Sequence, residues 1–118
     1  MAKFKINSNL ISVDDNLKID TIGIKKDNKI LYKENEISVT IIVLNNKIEV
    51  KRVHPDYVIE LFFDKNEDTL SNYRFIGGNK NFKLHTKTKK LLISDKKIEI
   101  EYILEDNTFK YKLELEEL

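Results

Sequence analysis

The sequence predicts an all-β protein, an antiparallel up-and-down meander of about eight to ten strands that closes into a small barrel. Apolar and polar residues alternate with a period of two along almost the whole chain, and short turn sequences interrupt that alternation. From Phe109 to Glu116, every second residue is apolar and its neighbours are charged. A helix would place those apolar residues on two opposite sides, whereas a strand places them on one face. The apolar alternation recurs at Tyr57, Ile59, Leu61 and Phe63 and at Ile98, Ile100, Tyr102 and Leu104.

Turn-forming residues divide the chain into these strands. Asn45-Asn46 is the kind of two-residue hairpin loop that needs left-handed backbone conformations. His54-Pro55-Asp56 ends another pair, because Pro55 has no N–H and cannot lie inside a central strand. In chain order, the other predicted turns are 14–16, 26–28, 65–68, 77–79, 95–96 and 105–107. The strands then average roughly six to eight residues, and no helix longer than about two turns is expected.

The last two strands alternate clearly enough to predict their register, because a slip of one residue would turn every core side chain outward. The predicted inward pairs are Leu104 with Phe109, Tyr102 with Tyr111, Ile100 with Leu113 and Ile98 with Leu115. On the outer face, this register pairs Glu101 with Lys112, which is favourable, and sets Glu99 against Glu114, which is not.

Two hairpins in the middle of the chain predict one continuous apolar face. Across Asn45-Asn46, the predicted pairs are Val43 with Ile48, Ile41 with Val50 and Val39 with Arg52. Across the Pro55 turn, they are Arg52 with Tyr57, Val50 with Ile59 and Ile48 with Leu61. Each strand therefore shares its apolar face with the next, as a meander requires.

Length and composition limit the classes of function. At 118 residues we expect one domain, residues 1–118, with 41% apolar residues for a core and 35% charged residues for a surface. The absence of cysteine excludes disulfides and thiolate metal sites. Residues 1–10 lack a signal-peptide pattern, and no apolar run approaches the ~18 residues of a membrane helix. We therefore expect a cytoplasmic protein without a membrane partner.

A set of positions spread over nearly the whole chain resembles a known family. These positions are Arg52 at the end of a mid-chain strand, Tyr73 before Gly77-Gly78, the run Phe82, Leu84, Thr86, Leu91 and Ile93, and the stretch 98–102 with the strand after it. Through them the chain resembles the YwiB-like calycin-type β-barrels, a bacterial family of unknown function. The resemblance implies a calycin-like or lipocalin-like barrel topology. It implies no activity and no functional residues.

The residues predict no catalytic, metal or cofactor site. His54 lies at a turn and His85 on the outer face, so the two imidazoles do not converge with carboxylates as a metal site requires. The paired carboxylates of the chain also lie at turns, where solvent opposes a raised pKa. There is no Gly-x-Ser-x-Gly, and Gly77-Gly78 enters a strand rather than a helix. These features favour a protein that is not an enzyme.

A basic run after the predicted turn at 77–79 bears on a nucleic-acid partner. Single-stranded nucleic acid stacks on exposed aromatic side chains beside such charges. The register places Phe82 with the core face instead, and the whole chain has a net charge of only +1. We therefore expect no nucleic-acid partner. The run comprises Lys80, Lys83, Lys87, Lys89 and Lys90.

Arg52 and Tyr57 are the candidate ligand-binding residues. Arg52 is one of two arginines, and the register places it on the apolar face at a strand end, opposite Tyr57. A guanidinium held there by a cation–π contact would suit an anionic or carboxylate-bearing ligand. The alternative interpretation is that its stem packs inside while the guanidinium reaches solvent at the rim.

Two hypotheses for function follow, because a barrel of this strand number is either filled by side chains or leaves room for one small ligand. The first is a barrel that binds a small anionic or apolar molecule at its mouth. The second is a protein–protein interaction or accessory module with a solid core. Large apolar residues favour the filled barrel, and Ser71 and Thr86 are among the few polar residues predicted inside.

Overall fold

The computed structural model describes residues 2–118, which form ten β-strands and no helix. The strands contain well over half of these residues, as the period-two alternation predicts. In chain order they are β1 (Ala2–Ile11), β2 (Asn16–Lys26), β3 (Lys29–Glu34), β4 (Ile37–Leu44), β5 (Lys47–Val53), β6 (Tyr57–Asp64), β7 (Thr69–Phe75), β8 (Asn81–Ile93), β9 (Lys97–Leu104) and β10 (Asn107–Glu117).

Each strand pairs antiparallel with its neighbours in the sequence, and β1 pairs with β10, so the meander closes into a barrel. The predicted fold class, an all-β up-and-down barrel, is confirmed. A turn at Asn35-Glu36 is an addition to the predicted set, and Asn35 adopts a left-handed φ of 52° there. The turns 12–15, 35–36, 54–56, 76–80 and 105–106 lie at one end of the barrel, which we call the mouth.

Inward-pointing residues form one apolar core. The side chains that are fully buried include Ile6, Ile41, Ile48, Ile98, Ile100 and Leu113. Burying an aliphatic side chain of this size contributes about 1.5–3 kcal/mol. Ser71 and Thr86 are buried as predicted, and one hydrogen bond of 2.7 Å joins their hydroxyls. Ser71 also accepts from the N–H of Phe62, and Thr86 donates to the carbonyl of Leu84, so both hydroxyls are satisfied inside the barrel.

The barrel closes unevenly between β2 and β3. The two strands pair only beside their connecting turn, where residues 24–26 face residues 29–31. Gly23 permits this close approach, because a Cβ at that position would lie 2.6 Å from the carbonyl oxygen of Leu31. Toward the mouth, residues 16–22 pair with β1 only, within the described part of the chain. One edge of β2 therefore carries unpaired N–H and C=O groups.

The hairpin across Asn45-Asn46 has the predicted register. Val39 faces Arg52 and Ile41 faces Val50, so Arg52 continues the apolar face of β5. Asn46 has a φ of 62°, the left-handed conformation that a two-residue hairpin loop requires.

The predicted register of β9 and β10 is wrong by two residues. Tyr102 faces Phe109 rather than Tyr111, because the loop is the two-residue Glu105-Asp106 and not a four-residue turn. The inward face is unchanged, since a shift of two preserves it. On the outer face, Glu99 now faces Lys112 rather than a second glutamate. The like-charge conflict of the predicted register is thereby removed.

The predicted pairing of Arg52 with Tyr57 is also wrong by two residues. Arg52 faces Ile59, and the loop contains only Pro55 and Asp56. His54 and Tyr57 exchange the closing backbone hydrogen bonds, at 2.9 and 3.3 Å. Tyr57 therefore lies closer to the rim of the mouth than Arg52 does.

Phe82 departs from its predicted place in the core. It shares the inward face of β8 but lies at the mouth end of that strand, where 46% of its surface is exposed. Its ring contacts Tyr73 on β7, with centroids 6.4 Å apart. His85 is exposed on the outer face, as predicted.

Candidate functional site

An apolar cavity of about 160 Å³ lies inside the barrel toward the mouth. Inward residues of β1, β5, β6, β9 and β10 form its wall. The aliphatic part of the wall is Leu10, Val50, Ile59, Leu61 and Leu104. Mostly apolar walls with a few polar groups are the usual lining of a small-molecule site.

Aromatic rings form the rest of the apolar wall. Tyr102 lies opposite Phe109, and their rings stack with centroids 5.3 Å apart and planes 20° apart. Tyr102 also contacts Phe63, at a centroid distance of 4.6 Å. All three residues line the cavity, which therefore offers flat aromatic surface to an occupant.

Arg52 lies at the cavity, and Glu34 binds its guanidinium. Nη1 donates to Oε1 at 3.3 Å, and Nη2 donates to Oε2 at 2.5 Å. The side chains are 14% and 4% exposed for Arg52 and Glu34 respectively. Two parallel hydrogen bonds between opposite charges make this a strong and directional contact. Burial alone would lower the pKa of Arg52, but the hydrogen bond and charge of Glu34 raise it above its ordinary value.

Two tyrosines extend this contact across the barrel. The hydroxyl of Tyr32 donates to Oε1 of Glu34 at 3.1 Å. The hydroxyls of Tyr32 and Tyr111 are hydrogen-bonded to each other, and Tyr111 is the donor because the Tyr32 proton is given to Glu34. Burial raises the pKa of Tyr32, and it raises the pKa of Tyr111 well above its ordinary value. Both hydroxyls therefore stay protonated, and they join β10, β3 and β5 through one polar chain.

The hydroxyl of Tyr102 differs from those of Tyr32 and Tyr111. Tyr102 is 4% exposed and lines the cavity, yet its hydroxyl has no hydrogen-bond partner among residues 2–118. Burial raises the pKa of Tyr102 to about 12, and the positive charge of Arg52 opposes that rise. The fully buried side-chain atoms without a partner in residues 2–118 are Asn9 Oδ1 and Thr88 Oγ1, so the Tyr102 oxygen is accessible to water. The cavity wall therefore contains one donor that the fold itself does not use.

Comparison with known proteins places the chain in a family. Residues 9–115 match the family described as "Domain of unknown function (DUF1934)". The chain belongs to this family. The crystal structure of the ywiB protein from Bacillus subtilis has a similar fold, with a TM-score of 0.78 at 16% sequence identity. The match covers 99% of this chain and 92% of that one. The resemblance to YwiB-like proteins inferred from the sequence is thus confirmed. No curated protein sequence matches the chain.

The barrel of this DUF1934 chain separates the two residues predicted to bind a ligand. Arg52 lies at the cavity, whereas Tyr57 is not among the lining residues. The ring of Tyr57 stacks on His54 at 4.5 Å and on Tyr73 at 5.5 Å. Glu34, and not Tyr57, is the partner that holds the guanidinium.

Four residues of the site, Tyr32, Glu34, Tyr102 and Tyr111, were not predicted as site residues. A signal for the first two is present in the sequence, since Ile30, Tyr32 and Glu34 alternate in phase and place a carboxylate on an inward face. An inward charge needs a partner, and Arg52 is the inward charge of opposite sign. No sequence pattern indicates that the hydroxyl of Tyr102 lacks a partner, because this depends on which side chains pack around it in the folded barrel.

Other sites are not apparent in the described part of the chain. Residues 2–118 contain no group of three His, Asp or Glu side chains placed to hold a metal ion. Among the same residues, no helix is long and apolar enough to cross a membrane.

Proposed function

We propose that this barrel binds one small, predominantly apolar molecule in the cavity beside Arg52. The observation that carries the proposal is the cavity itself, about 160 Å³ with aliphatic and aromatic walls. An engineered apolar cavity of about 150 Å³ accepts a molecule of benzene. A site of this size thus suits an occupant with a single ring.

The charge of the site favours a neutral occupant over an anionic one. Glu34 compensates Arg52 through two hydrogen bonds, so the cavity has no unpaired positive charge. An anion would have to displace Glu34 or enter a low-dielectric site beside it, and either step is costly. Of the two ligand classes expected from the sequence, this supports the apolar one.

Titration of the protein with ethylbenzene tests the proposal. We expect saturable changes in the methyl NMR signals of Leu61 and Leu104, which line the cavity. Leu104→Trp, which fills the cavity, should abolish the changes at Leu61. Leu92→Trp adds the same ring on the exposed outer part of β8 and should leave binding intact. The absence of saturable shifts in the wild-type protein, or their survival in Leu104→Trp, would overturn the proposal.

A second candidate function, association with a protein partner, is favoured by the open edge of β2. We propose that this partner is a second copy of the chain, with residues 16–22 paired antiparallel across a two-fold axis at Ile19. Lys18 then faces Asp20 of the other copy, and Asp20 faces Lys18. Both are exposed, and neither is in an ion pair within residues 2–118.

Sedimentation equilibrium over a range of concentrations tests this association. Seven paired residues bury less than the ~800 Å² per partner of a standard interface, so a weak dimer is expected. Asp20→Lys sets lysine against lysine and should leave a monomer. The double variant Lys18→Asp with Asp20→Lys exchanges the charges and should restore the dimer. A wild-type protein that stays monomeric at millimolar concentration excludes this function without affecting the cavity.

A further inference from the structure

We infer that the ligand carries one uncharged hydrogen-bond acceptor, of the carbonyl type, that receives the hydroxyl of Tyr102. This inference rests on the proposed function and specifies the chemistry of the occupant. A neutral aromatic or alicyclic ketone, ester or amide is the class of molecule that fits.

Tyr102 has a hydroxyl donor that the fold does not use. Three tyrosines are buried in the core, and the hydroxyls of Tyr32 and Tyr111 both have partners. The hydroxyl of Tyr102 has none among residues 2–118, although the residue is 96% buried and lines the cavity. The hydroxyl oxygen is not among the fully buried unpaired atoms of these residues, so water can bond it when the cavity is empty. An apolar occupant that displaces this water leaves the hydroxyl unpaired, which is costly, whereas an acceptor on the occupant replaces the lost hydrogen bond.

A second polar group in the cavity wall is the guanidinium of Arg52. Arg52 lines the same cavity and uses two of the five N–H donors of a guanidinium on Glu34. Arg52 and Tyr102 both line this cavity, so an occupant meets both polar groups. A guanidinium has donors and no acceptor. An acceptor on the ligand therefore suits both groups, whereas a donor would suit Tyr102 alone.

The cavity wall favours an occupant that is uncharged and flat. A carboxylate placed between Tyr102 and Arg52 would approach the carboxylate of Glu34, which already holds Arg52 at 2.5 Å. A carbonyl oxygen accepts the same hydrogen bonds without that repulsion. The stacked rings of Tyr102 and Phe109 provide a flat surface for the apolar part of the molecule.

Ethylbenzene and acetophenone form a matched pair of probes, because they differ at one carbon that carries two hydrogens or a carbonyl oxygen. In a purely apolar cavity, desolvation of the carbonyl would make the affinity for acetophenone about tenfold lower than the affinity for ethylbenzene. With a partner for its oxygen, acetophenone should bind the wild-type barrel about threefold to tenfold more tightly than ethylbenzene. Both dissociation constants come from the same NMR titration.

Tyr102→Phe is the decisive variant, and Tyr73→Phe is its control. Tyr102→Phe should reverse the preference, so that acetophenone becomes the weaker ligand. Tyr73→Phe removes a hydroxyl outside the cavity lining and should keep the wild-type preference. The wild-type comparison needs no variant, so it decides the matter even where Tyr102→Phe does not fold.

The outcomes separate this inference from the proposed function. If the wild-type barrel binds ethylbenzene more tightly than acetophenone, the inference is wrong and the apolar site remains. If benzoate binds more tightly than acetophenone, the acceptor is an anion and the uncharged class is wrong. If the protein binds none of the three, the proposed function fails and the inference fails with it.

Discussion

Glu34 and Arg52 form a buried ion pair at the mouth of the barrel, with Oε2 and Nη2 2.5 Å apart. The carboxylate ends β3 and the guanidinium lies near the end of β5, so the pair spans β4 between them. Tyr32 donates a further hydrogen bond to the carboxylate, which leaves Glu34 with three donors. Each member of the pair compensates the buried charge of the other, so the cavity has no unpaired positive charge.

Loss of one member of this pair should destabilise the protein strongly. Glu34→Gln keeps the size of the side chain but leaves Arg52 without its counter-ion. We expect the free energy of unfolding to fall by about 2–4 kcal/mol, because an uncompensated charge then stays buried. Urea unfolding measures the loss, with Lys110→Met in the exposed pair with Glu101 as the control at under about 1 kcal/mol.

The double replacement Glu34→Leu with Arg52→Met completes this test. Apolar side chains often replace a buried ion pair without loss, so the double variant should recover most of the stability lost in Glu34→Gln. A Glu34→Gln protein as stable as the wild type would show that the pair is solvated rather than buried.

The period-two alternation predicted correctly which face of each strand points inward. Predicting which residues lie opposite each other on adjacent strands also required the length of each loop. The pairings across Pro55-Asp56 and Glu105-Asp106 were each predicted with an offset of two residues. Each predicted pairing leaves four residues in the loop, whereas each loop in the structure has two. A register shift of two residues keeps every side chain on the same face of its strand. The inward residues were therefore predicted correctly, although their cross-strand partners were not. The unfavourable pairing of Glu99 with Glu114 in the predicted register was the available sign of the error.

The site was less predictable than the fold. Arg52 could be placed on the inward face from the Asn45-Asn46 loop alone, and the structure puts it there. Its expected partner Tyr57 depended on the loop that was misjudged. The cavity depends on how side-chain volumes meet across the barrel, which alternation along single strands does not contain.

Leu113→Asp should prevent folding. Leu113 is fully buried, and it faces Ile98 on β9 and Ser8 on β1, so no basic group on either strand facing it can pair with an introduced carboxylate. The buried charge either shifts its pKa or unfolds the barrel. Leu92→Asp, at a half-exposed position, should fold normally. Far-ultraviolet circular dichroism and thermal unfolding distinguish the two, and a Leu113→Asp protein with the wild-type melting temperature would mean that its inward orientation is wrong.

Glu105→Gly should stabilise the barrel. Glu105 has a φ of 54°, a left-handed conformation in which a side chain costs about 1–2 kcal/mol. Glycine avoids that cost and loses part of the gain through its greater freedom when unfolded, so a net gain of about 0.5–1 kcal/mol is expected. The neighbouring Asp106 does not have a positive φ, and Asp106→Gly should give no gain. Equal effects of the two substitutions in chemical denaturation would contradict the argument.

Tyr102 should make the stability of the barrel depend on alkaline pH. Burial raises its pKa to about 12 in the folded protein, against an ordinary value of about 10. The folded state therefore holds this proton more tightly, and the unfolded chain releases it first. The resulting stability is fully present below about pH 10 and is lost as the pH rises through 12. Burial raises the pKa values of Tyr32 and Tyr111 as well, so these two residues also make the folded state less stable as the pH rises.

Comparing the wild type with Tyr102→Phe isolates this contribution, because every other ionisable group is common to both proteins. Between pH 10 and 12, the wild-type free energy of unfolding should fall more steeply than that of Tyr102→Phe, by about 1.4 kcal/mol per pH unit. Urea unfolding at pH 8, 10, 11 and 12 gives both slopes. Curves that stay parallel across this range would show that the Tyr102 hydroxyl ionises as easily in the folded barrel as in the unfolded chain, and so is not shielded from water by the cavity wall.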